Sequence, residues 1–263
     1  FFVTFFLKMH RLLLLYVLAL FVHCGTSLDA LRRNRCIVLV RGGEKTNAIK
    51  KEEKNDGAVL RAIGWTAAEA GILYGALAWA AMADEPRLEL TVYAIIAFGS
   101  STIADLLLAA SSAALSAPAK QVLLPRQTPN HKWYETLPKP VWTPPTWVFP
   151  IAWLLVSKPT QVLALSRLRN GKIDIAARLC YATHLALGDT WNRVFFGERQ
   201  IGLGVYVIYS FVAALAASAI LFARIDRQAG YLLLPTLAWV SIASALNLRI
   251  YQLVHAQPKG AKR

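Results

Sequence analysis

The sequence predicts an all-α integral membrane protein, and three observations support this fold class. Of its 263 residues, 56% are apolar and only 17% are charged, whereas soluble domains average roughly 45–50% and 25%. After residue 57, six apolar stretches follow one another, most of them reaching the ~20 residues that a helix needs to cross a bilayer. None alternates apolar and polar residues with the period of two expected for a membrane β-barrel. The composition therefore excludes a soluble enzyme, a disordered chain and a disulfide scaffold.

The net charge of +14 does not indicate nucleic-acid binding. The Lys and Arg residues lie in an N-terminal segment and in the connections between apolar stretches, a distribution that orients a chain against anionic lipid. No basic helix with interleaved aromatic residues is visible, so we expect membrane lipid as a partner and no nucleic acid. The cysteines, Cys24, Cys36 and Cys180, are too widely spaced to indicate a disulfide framework or a zinc site.

The N-terminal region is typical of targeting sequences. Residues 1–27 resemble a signal peptide, because His10 and Arg11 precede an apolar run of about 11 residues, too short to span a membrane. A short anchor that is retained is the alternative. Residues 28–57 begin with a basic, transit-like stretch and end in a polar linker of mixed charge. Two such segments in succession suit an organelle with additional membranes, so we expect a plastid, with mitochondrial and endoplasmic reticulum membranes as alternatives.

Charged and proline-containing sequences divide the remainder into the six apolar segments. Residues 58–85 end in Asp-Glu-Pro and are predicted to form an extra N-terminal transmembrane helix. The domain at 91–254 is predicted to contain five further helices, and a basic tail follows at 255–263. The five helices are predicted at about 91–115, 146–166, 174–192, 200–223 and 229–254.

A sequence rich in proline and tryptophan, WYETLPKPVWTPPTWVF, occupies residues 133–149. Its prolines disfavour a helix, so a stiff loop is predicted, and Trp142 and Trp147 are suited to anchor that loop at the lipid headgroups. The sequence closely resembles the W-Y-x-x-L-x-K-P-x-W-x-P-P-x-W-V-F signature of the TspO/MBR family, which includes the translocator proteins, also called peripheral benzodiazepine receptors.

Two later sequences strengthen the resemblance. Residues 185–200 contain LALGDTW and FFGERQ, which are similar to the family pattern L-x-L-N-x-x-W followed by F-F-G-x-R-Q. Residues 232–247 contain LLLPTLAW and LN, which are similar to L-L-x-P-Y-L-x-W followed by L-N. Order and spacing agree, so roughly residues 91–253 are identified as a TspO/MBR domain. The stretch before Thr91, including the extra helix, lies outside the resemblance.

The resemblance implies five transmembrane helices around a ligand pocket that is closed by the loop between the first two. Family members bind porphyrins, sterols and benzodiazepine-type ligands, and some bacterial members degrade protoporphyrin in light. The resemblance thus implies that this chain binds, and transports or scavenges, a tetrapyrrole or a sterol-like planar ligand. Protoporphyrin IX, haem and chlorophyll-type pigments are the expected tetrapyrroles, and no cofactor is required.

Two alternatives to a binding or transport protein stay open. The first is an enzyme for light-dependent protoporphyrin degradation, although a protein without catalytic activity is the expectation. The second is a structural or assembly subunit of a larger membrane complex, for example a photosynthetic one. A homodimer is compatible with any of these functions.

The candidate site residues follow from the resemblance and from the chemistry of a planar, hydrophobic ligand. Trp153 and Trp239 match tryptophans associated with porphyrin chemistry in the family and are the candidates for catalysis. His184 is a candidate axial ligand for a metallated tetrapyrrole, with a hydrogen bond to another helix as the alternative. Asn247 matches a polar residue of the last family helix and is equally suited to an interhelical hydrogen bond. The remaining candidates are Trp142, Trp147, Trp191 and, as a partner for a ligand carboxylate, Lys139.

Several residues depart from the family pattern. Gly188 replaces an Asn, His184 a Gln and Thr236 a Tyr, while Lys158-Pro159 interrupts the third apolar segment. Proline inside a helix costs about 3 kcal/mol in water, although membrane bundles tolerate it where neighbours satisfy the freed carbonyl. We therefore expect a pocket of altered shape and polarity.

Ionisable residues inside predicted spans are costly and are candidates for function. Glu69 and Asp105 lie in the first and second apolar segments. We expect each to be neutralised by protonation, to pair with the other's helix or to pair with Arg61.

Overall fold

The computed structural model describes residues 57–82, 85–114, 131–168 and 173–256. Residues 1–56, which include the predicted targeting segments, and residues 257–263 lie outside the described part. Within these ranges the chain is helical and contains no strand. Its helices are α1 (Ala58–Ala80), α2 (Pro86–Ala114), α3 (His131–Thr136), α4 (Val148–Arg167), α5 (Ile175–Asn192), α6 (Ile201–Ile225), α7 (Arg227–Leu232) and α8 (Leu234–His255).

All six predicted apolar segments are helical, which confirms the all-α class. Of the described helices, three are long and apolar enough to cross a membrane by length and composition: Val148–Arg167, Ile201–Ile225 and Arg227–His255, the last of which comprises α7 and α8. The other three predicted segments correspond to α1, α2 and α5. The arrangement of five spans plus one extra span therefore stays a prediction.

Five long helices surround an interior, and α1 packs against the outside of this bundle. Around the bundle, α2 contacts α4 and α5, α6 contacts α5 and α8, and α8 returns to α4. The helix α1 packs on α5 and α2. Helices α4 and α5 therefore face each other across the interior, where side chains from both can meet.

The buried face of α1 carries charged as well as apolar residues. Arg61, Trp65, Glu69, Leu73 and Leu77 repeat every four residues and are all at most 8% exposed. This spacing places them on one side of the helix, toward the bundle. The exposed large apolar residues of α1 are Val59, Leu60, Ile63, Ile72 and Trp79.

The connections between helices are fixed by acidic caps and by a proline. Asp174 accepts a hydrogen bond from the Ala177 N–H (2.7 Å) at the start of α5, and Asp226 caps α7. Asp226 also pairs with Arg167 at the end of α4 (3.1 Å). The hydrogen bond from Arg167 is the main reason that the pKa of Asp226 lies below its usual value. The break at Leu233 separates α7 from α8 just before Pro235, which has no N–H to continue the helix.

Candidate functional site

Helix α4 contains a π-helical segment, Ile151–Ser157, which ends two residues before Pro159. A π-helical turn is wider than an α-helical turn, and such turns are frequent at functional sites. Here the Lys158 N–H bonds to the Trp153 carbonyl, so Lys158 lies one wide turn above Trp153. The predicted interruption at Lys158-Pro159 is therefore accommodated by a local change of helix type, without ending the helix.

Aromatic rings from α4, α5 and α6 meet in the interior. The Trp153 ring lies nearly parallel to that of Phe211, with centroids 6.5 Å apart. The His184 ring lies nearly parallel to Phe211 as well, at 6.0 Å, and meets the Tyr181 ring edge-on at 4.5 Å. We call these four residues, Trp153, Tyr181, His184 and Phe211, the inner cluster. Its parallel rings provide the kind of surface on which a planar ligand stacks.

Phe211 occupies the space next to Gly188. A Cβ atom added to Gly188 would lie 3.1 Å from two atoms of the Phe211 ring. The residue that departs from the family pattern on α5 is thus matched by a bulky ring on α6. This contact supports the expectation that the interior differs in shape from that of the family pattern.

A chain of buried hydrogen bonds connects α8, α4 and α5 beside the inner cluster. The hydroxyls of Thr236 and Ser157 lie 3.0 Å apart, and Gln161 donates to Ser157 at 3.1 Å. Tyr181 donates to the Gln161 side-chain oxygen at 3.1 Å. Thr236 is therefore engaged in helix packing.

Two of the predicted ligand residues have buried polar atoms without a partner. In the described part of the chain, the two ring nitrogens of His184 have no hydrogen-bond partner. The indole nitrogen of Trp239 has none either. His184 is fully buried, and Trp239 meets the Phe149 ring edge-on at 5.3 Å. Because an unsatisfied buried polar atom is costly, these nitrogens are suited to receive a partner from a ligand.

Two other candidates, Trp191 and Asn247, bond to each other. The Trp191 indole donates to the Asn247 side-chain oxygen at 2.9 Å, and the Asn247 amide donates to the Ile201 carbonyl at 3.3 Å. Gly204 packs against this pair, since a Cβ atom there would lie 3.2 Å from the Asn247 oxygen. The geometry therefore favours the interhelical role of Asn247.

The loop candidates lie apart from the inner cluster. Trp142 and Trp147 are 49% and 64% exposed, in keeping with the predicted anchoring at headgroups. The Lys139 ammonium donates to the Glu135 and Leu137 carbonyls (3.2 and 3.4 Å). Burial lowers the pKa of Lys139, while nearby Glu135 opposes this change.

The first two sequence signatures meet in an aromatic cluster where the loop contacts the end of α5. The Trp133 ring lies 5.7 Å from Phe195, and the Tyr134 ring lies 5.6 Å from Phe196, both edge-on. Arg199 has a positive φ of 56° and places its guanidinium over Trp133. The two signatures therefore contact each other, because the loop packs against the π-helical turn Arg193–Gly197.

Helix α1 is joined to the end of α5 by polar contacts. Arg61 donates to both carboxylate oxygens of Glu198 (2.5 and 2.8 Å), and Arg193 donates to Glu69 at 3.1 Å. Thr66 and Thr190 hydroxyls lie 2.9 Å apart between these pairs. We call this set the α1 seam.

The expected pairing of Glu69 with Arg61 or with α2 is wrong. Arg61 pairs with Glu198 and Glu69 pairs with Arg193, so both partners come from the α5 end. The sequence could not indicate these partners, because they are more than 120 positions away. Asp105 lies in α2, and its side chain falls outside the described residues.

Sequence reasoning did not select Phe211, Gln161 or Lys158 as site residues. Phe211 carries no signal distinguishing it from any apolar residue of a membrane helix. Gln161 and Lys158 carry one, since amide and ammonium groups in a predicted span are costly unless a partner is present. The described residues contain no group of three or more His, Cys, Asp or Glu side chains placed to hold a metal ion.

An open cavity lies on the outside of the bundle between α1, α5 and α6. Its volume is about 570 Å³ and its walls are mostly apolar. Thr66, Thr183 and Ser210 contribute its hydroxyl groups.

Comparison with known proteins connects this arrangement to a family. The model of the TspO/MBR family matches residues 106–253, more than half of the chain. The chain belongs to the TspO/MBR family. The resemblance of the three sequence signatures is thereby confirmed, and so is the class of integral, multi-pass membrane protein. Helix α1 precedes the matched residues.

The similar proteins include bacterial and animal members of the family. Protein CrtK from Rhodobacter capsulatus is 30% identical over 126 residues, which cover 46% of this chain and 78% of the relative. Tryptophan-rich protein TspO from Chlorobaculum tepidum is 34% identical over 130 residues, 48% of this chain and 81% of the relative. Translocator protein from Ovis aries is 32% identical over 125 residues, which cover 46% of this chain and 74% of the relative. The similarity covers most of each relative, so this TspO/MBR chain carries additional sequence outside the shared domain.

Proposed function

We propose that this TspO/MBR protein binds a tetrapyrrole or a similarly planar hydrophobic molecule inside the bundle and transports or scavenges it within an organellar membrane. The observation that carries the proposal is the presence, on the helices of the bundle, of parallel aromatic rings and of buried nitrogens without a partner among the described residues. Trp153 and Phe211 offer ring faces, whereas His184 and Trp239 offer polar atoms. A planar ligand with polar edges would satisfy both kinds of group.

In this proposal the candidate residues have separate roles. Trp153 and Trp239 contact the ring system, and a His184 ring nitrogen reaches a polar group or, in a metallated ligand, the metal. Trp191, at the end of α5, and Asn247, within α8, hold these two helices together. Further roles belong to the loop, where Trp142, Trp147 and Lys139 would control entry from the headgroup region.

The full chain in detergent can be titrated with protoporphyrin IX, haem and chlorophyllide, following tryptophan quenching and Soret shifts. Saturable micromolar binding is expected, and Trp153→Phe and Trp239→Phe are expected to weaken it several-fold. Trp79→Phe is the matched control, because Trp79 lies on the exposed face of α1, 54% exposed. Absence of saturable binding to all three tetrapyrroles would contradict the proposal.

Illumination of the same complex tests the enzymatic alternative. An enzyme would convert protoporphyrin with turnover, and replacement of Trp153 or Trp239 by Phe would abolish conversion while binding survives. A binding or transport protein would leave the pigment unconverted beyond its bleaching in detergent alone.

One observation favours the structural-subunit alternative. Phe211 fills the space beside Gly188, which is the expected result if the interior is packed by the protein's own side chains. Under that alternative, the protein would co-purify with a membrane complex and would bind no tetrapyrrole. The predicted plastid location, and the mitochondrial and reticulum alternatives, can be tested by expressing residues 1–57 fused to a fluorescent protein.

A further inference from the structure

The open cavity between α1, α5 and α6 is an apolar groove, which we call the outer groove. Its volume of about 570 Å³ lies within the range of about 300–1,000 Å³ that small-molecule sites occupy. The buried residues Ala62, Ala70 and Val207 line its inner part, whereas the exposed residues Ile63 and Tyr206 lie at its edge. The groove is deep because α1 presents small side chains toward it.

The outer groove is separate from the inner cluster and depends on helix α1. None of the residues that line it belongs to the inner cluster. One of its walls is formed by α1, which precedes the residues 106–253 that match the TspO/MBR family. The groove therefore exists only where this additional helix packs on the shared domain.

The outer groove is about as long as one leaflet of a bilayer. It begins at Val59 and Leu203, in the first turns of α1 and α6. These two helices begin at the same end of the bundle, because Arg61 bonds to Glu198 just before α6. The groove reaches Gly71 near the middle of α1, about 18 Å farther along the helix at 1.5 Å per residue. Half of the ~30 Å hydrocarbon core is ~15 Å, so the groove matches the length of one lipid tail.

The walls of the outer groove favour hydrocarbon over water and over polar ligands. None of the residues that line it is charged. The Thr66 hydroxyl donates to the Ala62 carbonyl at 2.8 Å, and the Ser210 hydroxyl donates to the Tyr206 carbonyl at 3.0 Å. Water in a cavity needs two to four polar partners, and a polar ligand group without a partner is costly to bury. An apolar chain meets neither cost.

The surroundings of the outer groove indicate where such a chain comes from. Helix α6 is long and apolar enough to cross a membrane, and the groove opens on the outside of the bundle, so lipid tails reach it directly. An empty groove would forfeit the dispersion contacts that close packing provides. The uncharged walls offer no partner to a fatty-acid carboxylate, and nearby Arg61 is paired with Glu198. A phospholipid avoids this problem, because its headgroup stays at the membrane surface.

We propose that the outer groove binds one acyl chain of a membrane phospholipid, with the headgroup beside the first turns of α1 and α6. This site takes a flexible hydrocarbon chain, whereas the inner cluster is proposed to take a planar molecule. The bound chain packs between α1 and the family domain and adds apolar contacts to the ion pairs of the α1 seam.

Native mass spectrometry of the full chain tests this inference. The delipidated protein in detergent is titrated with dioleoyl phosphatidylcholine, and the first lipid is expected to bind more tightly than those that follow. Ala67→Leu places a larger side chain in the groove and is expected to weaken this first binding roughly fivefold, the effect of losing about ten carbon–carbon contacts. Ala68→Leu is the matched control, because Ala68 is equally exposed on α1 but does not line the groove. It is expected to bind the first lipid like the parent protein.

A second pair of variants keeps the test independent of any one substitution. Gly71 lines the groove, whereas Gly75, one turn farther along α1, does not. No described atom lies within 4 Å of a Cβ added at either position, and leucine favours a helix over glycine. Both variants are therefore expected to fold. Gly71→Leu is expected to weaken binding of the first lipid, and Gly75→Leu is expected to leave it unchanged.

Three results would overturn the inference. The first is equal affinity for the first lipid in the parent protein, Ala67→Leu and Gly71→Leu. The second is tighter binding of oleate or cholesterol than of the phospholipid, lost in Ala67→Leu, which would assign the groove to a different lipid. The third is unchanged lipid binding together with a parent dimer that Ala67→Leu converts to a monomer, which would assign the groove to a second copy of the chain. Tetrapyrrole titration is a separate measurement, so either proposal can fail while the other stands.

Discussion

Individual polar groups inside the bundle fall into two classes. Some are satisfied by another helix, as in the hydrogen bond from Trp191 to Asn247. Others, the ring nitrogens of His184 and the indole nitrogen of Trp239, have no partner among the described residues. Satisfied groups fix how helices pack, whereas unsatisfied groups are available for a ligand. On this basis we propose that Trp191 and Asn247 are structural residues, whereas His184 and Trp239 are available to a ligand.

Replacement of Asn247 by Ala tests the structural class. It leaves the buried Trp191 indole without its acceptor and is expected to lower the free energy of unfolding by about 0.6–1.7 kcal/mol, the range for hydrogen bonds between membrane helices. Unfolding in mixed detergent with increasing dodecyl sulfate measures the change. Asn192→Ala is the control, since Asn192 is exposed and bonds within its own helix. A loss of equal size in both variants would contradict the prediction.

Helices in this bundle are shaped by their closest contacts and by proline. The π-helical segment of α4 absorbs Pro159, and the break before Pro235 turns α7 into α8. At Gly230 in α7, a Cβ atom would lie 2.4 Å from the Ala223 Cβ and 2.6 Å from the Ala219 carbonyl oxygen. Backbone cannot yield as a flexible side chain can, so α7 approaches α6 this closely because residue 230 is glycine.

Gly230→Ala is therefore expected to destabilise the protein. Overpacking of this kind typically costs about 1–3 kcal/mol, and it should appear as a lower thermal midpoint and as separation of α7 from α6. Gly99→Ala in α2 is the matched control, because no described atom lies within 4 Å of the added Cβ. That control is expected to be neutral or mildly stabilising, as alanine favours helix over glycine by about 1 kcal/mol in water. Neutral effects of both substitutions would contradict the close approach of α7 to α6 at Gly230.

The described part of the chain comprises the family domain and a preceding helix, α1, which is joined to the end of α5 by ion pairs. Helix α1 lies before the matched residues 106–253, yet Arg61 and Glu69 reach partners at the end of α5. The side chains of these ion pairs are at most 9% exposed. Breaking a buried ion pair leaves an uncompensated charge, so α1 is expected to fold together with the family domain.

Arg61→Leu tests this cooperation. The variant leaves Glu198 unpaired and buried, which is expected to cost about 3–5 kcal/mol, and amide hydrogen exchange in α1 is expected to accelerate. The double variant Arg61→Leu, Glu198→Leu is expected to recover much of the loss, because no unpaired charge remains. Arg87→Leu, at the exposed start of α2, serves as the control. Unchanged exchange in α1 for Arg61→Leu would show that the α1 seam does not hold the helix.

The sequence by itself determined the all-α class and the approximate bounds of the helices, because the length of apolar segments and the positions of prolines are local properties. It also determined the family, because the signature motifs are read directly along the chain. It also indicated Trp153 and Trp239, whose types and positions match a linear pattern, and His184, an ionisable residue inside a predicted span that departs from that pattern. Only the tertiary structure decided which side chains meet. The stacking on Phe211 and the partners of Arg61 and Glu69 depend on residues from different helices, and such contacts leave no mark in any one segment.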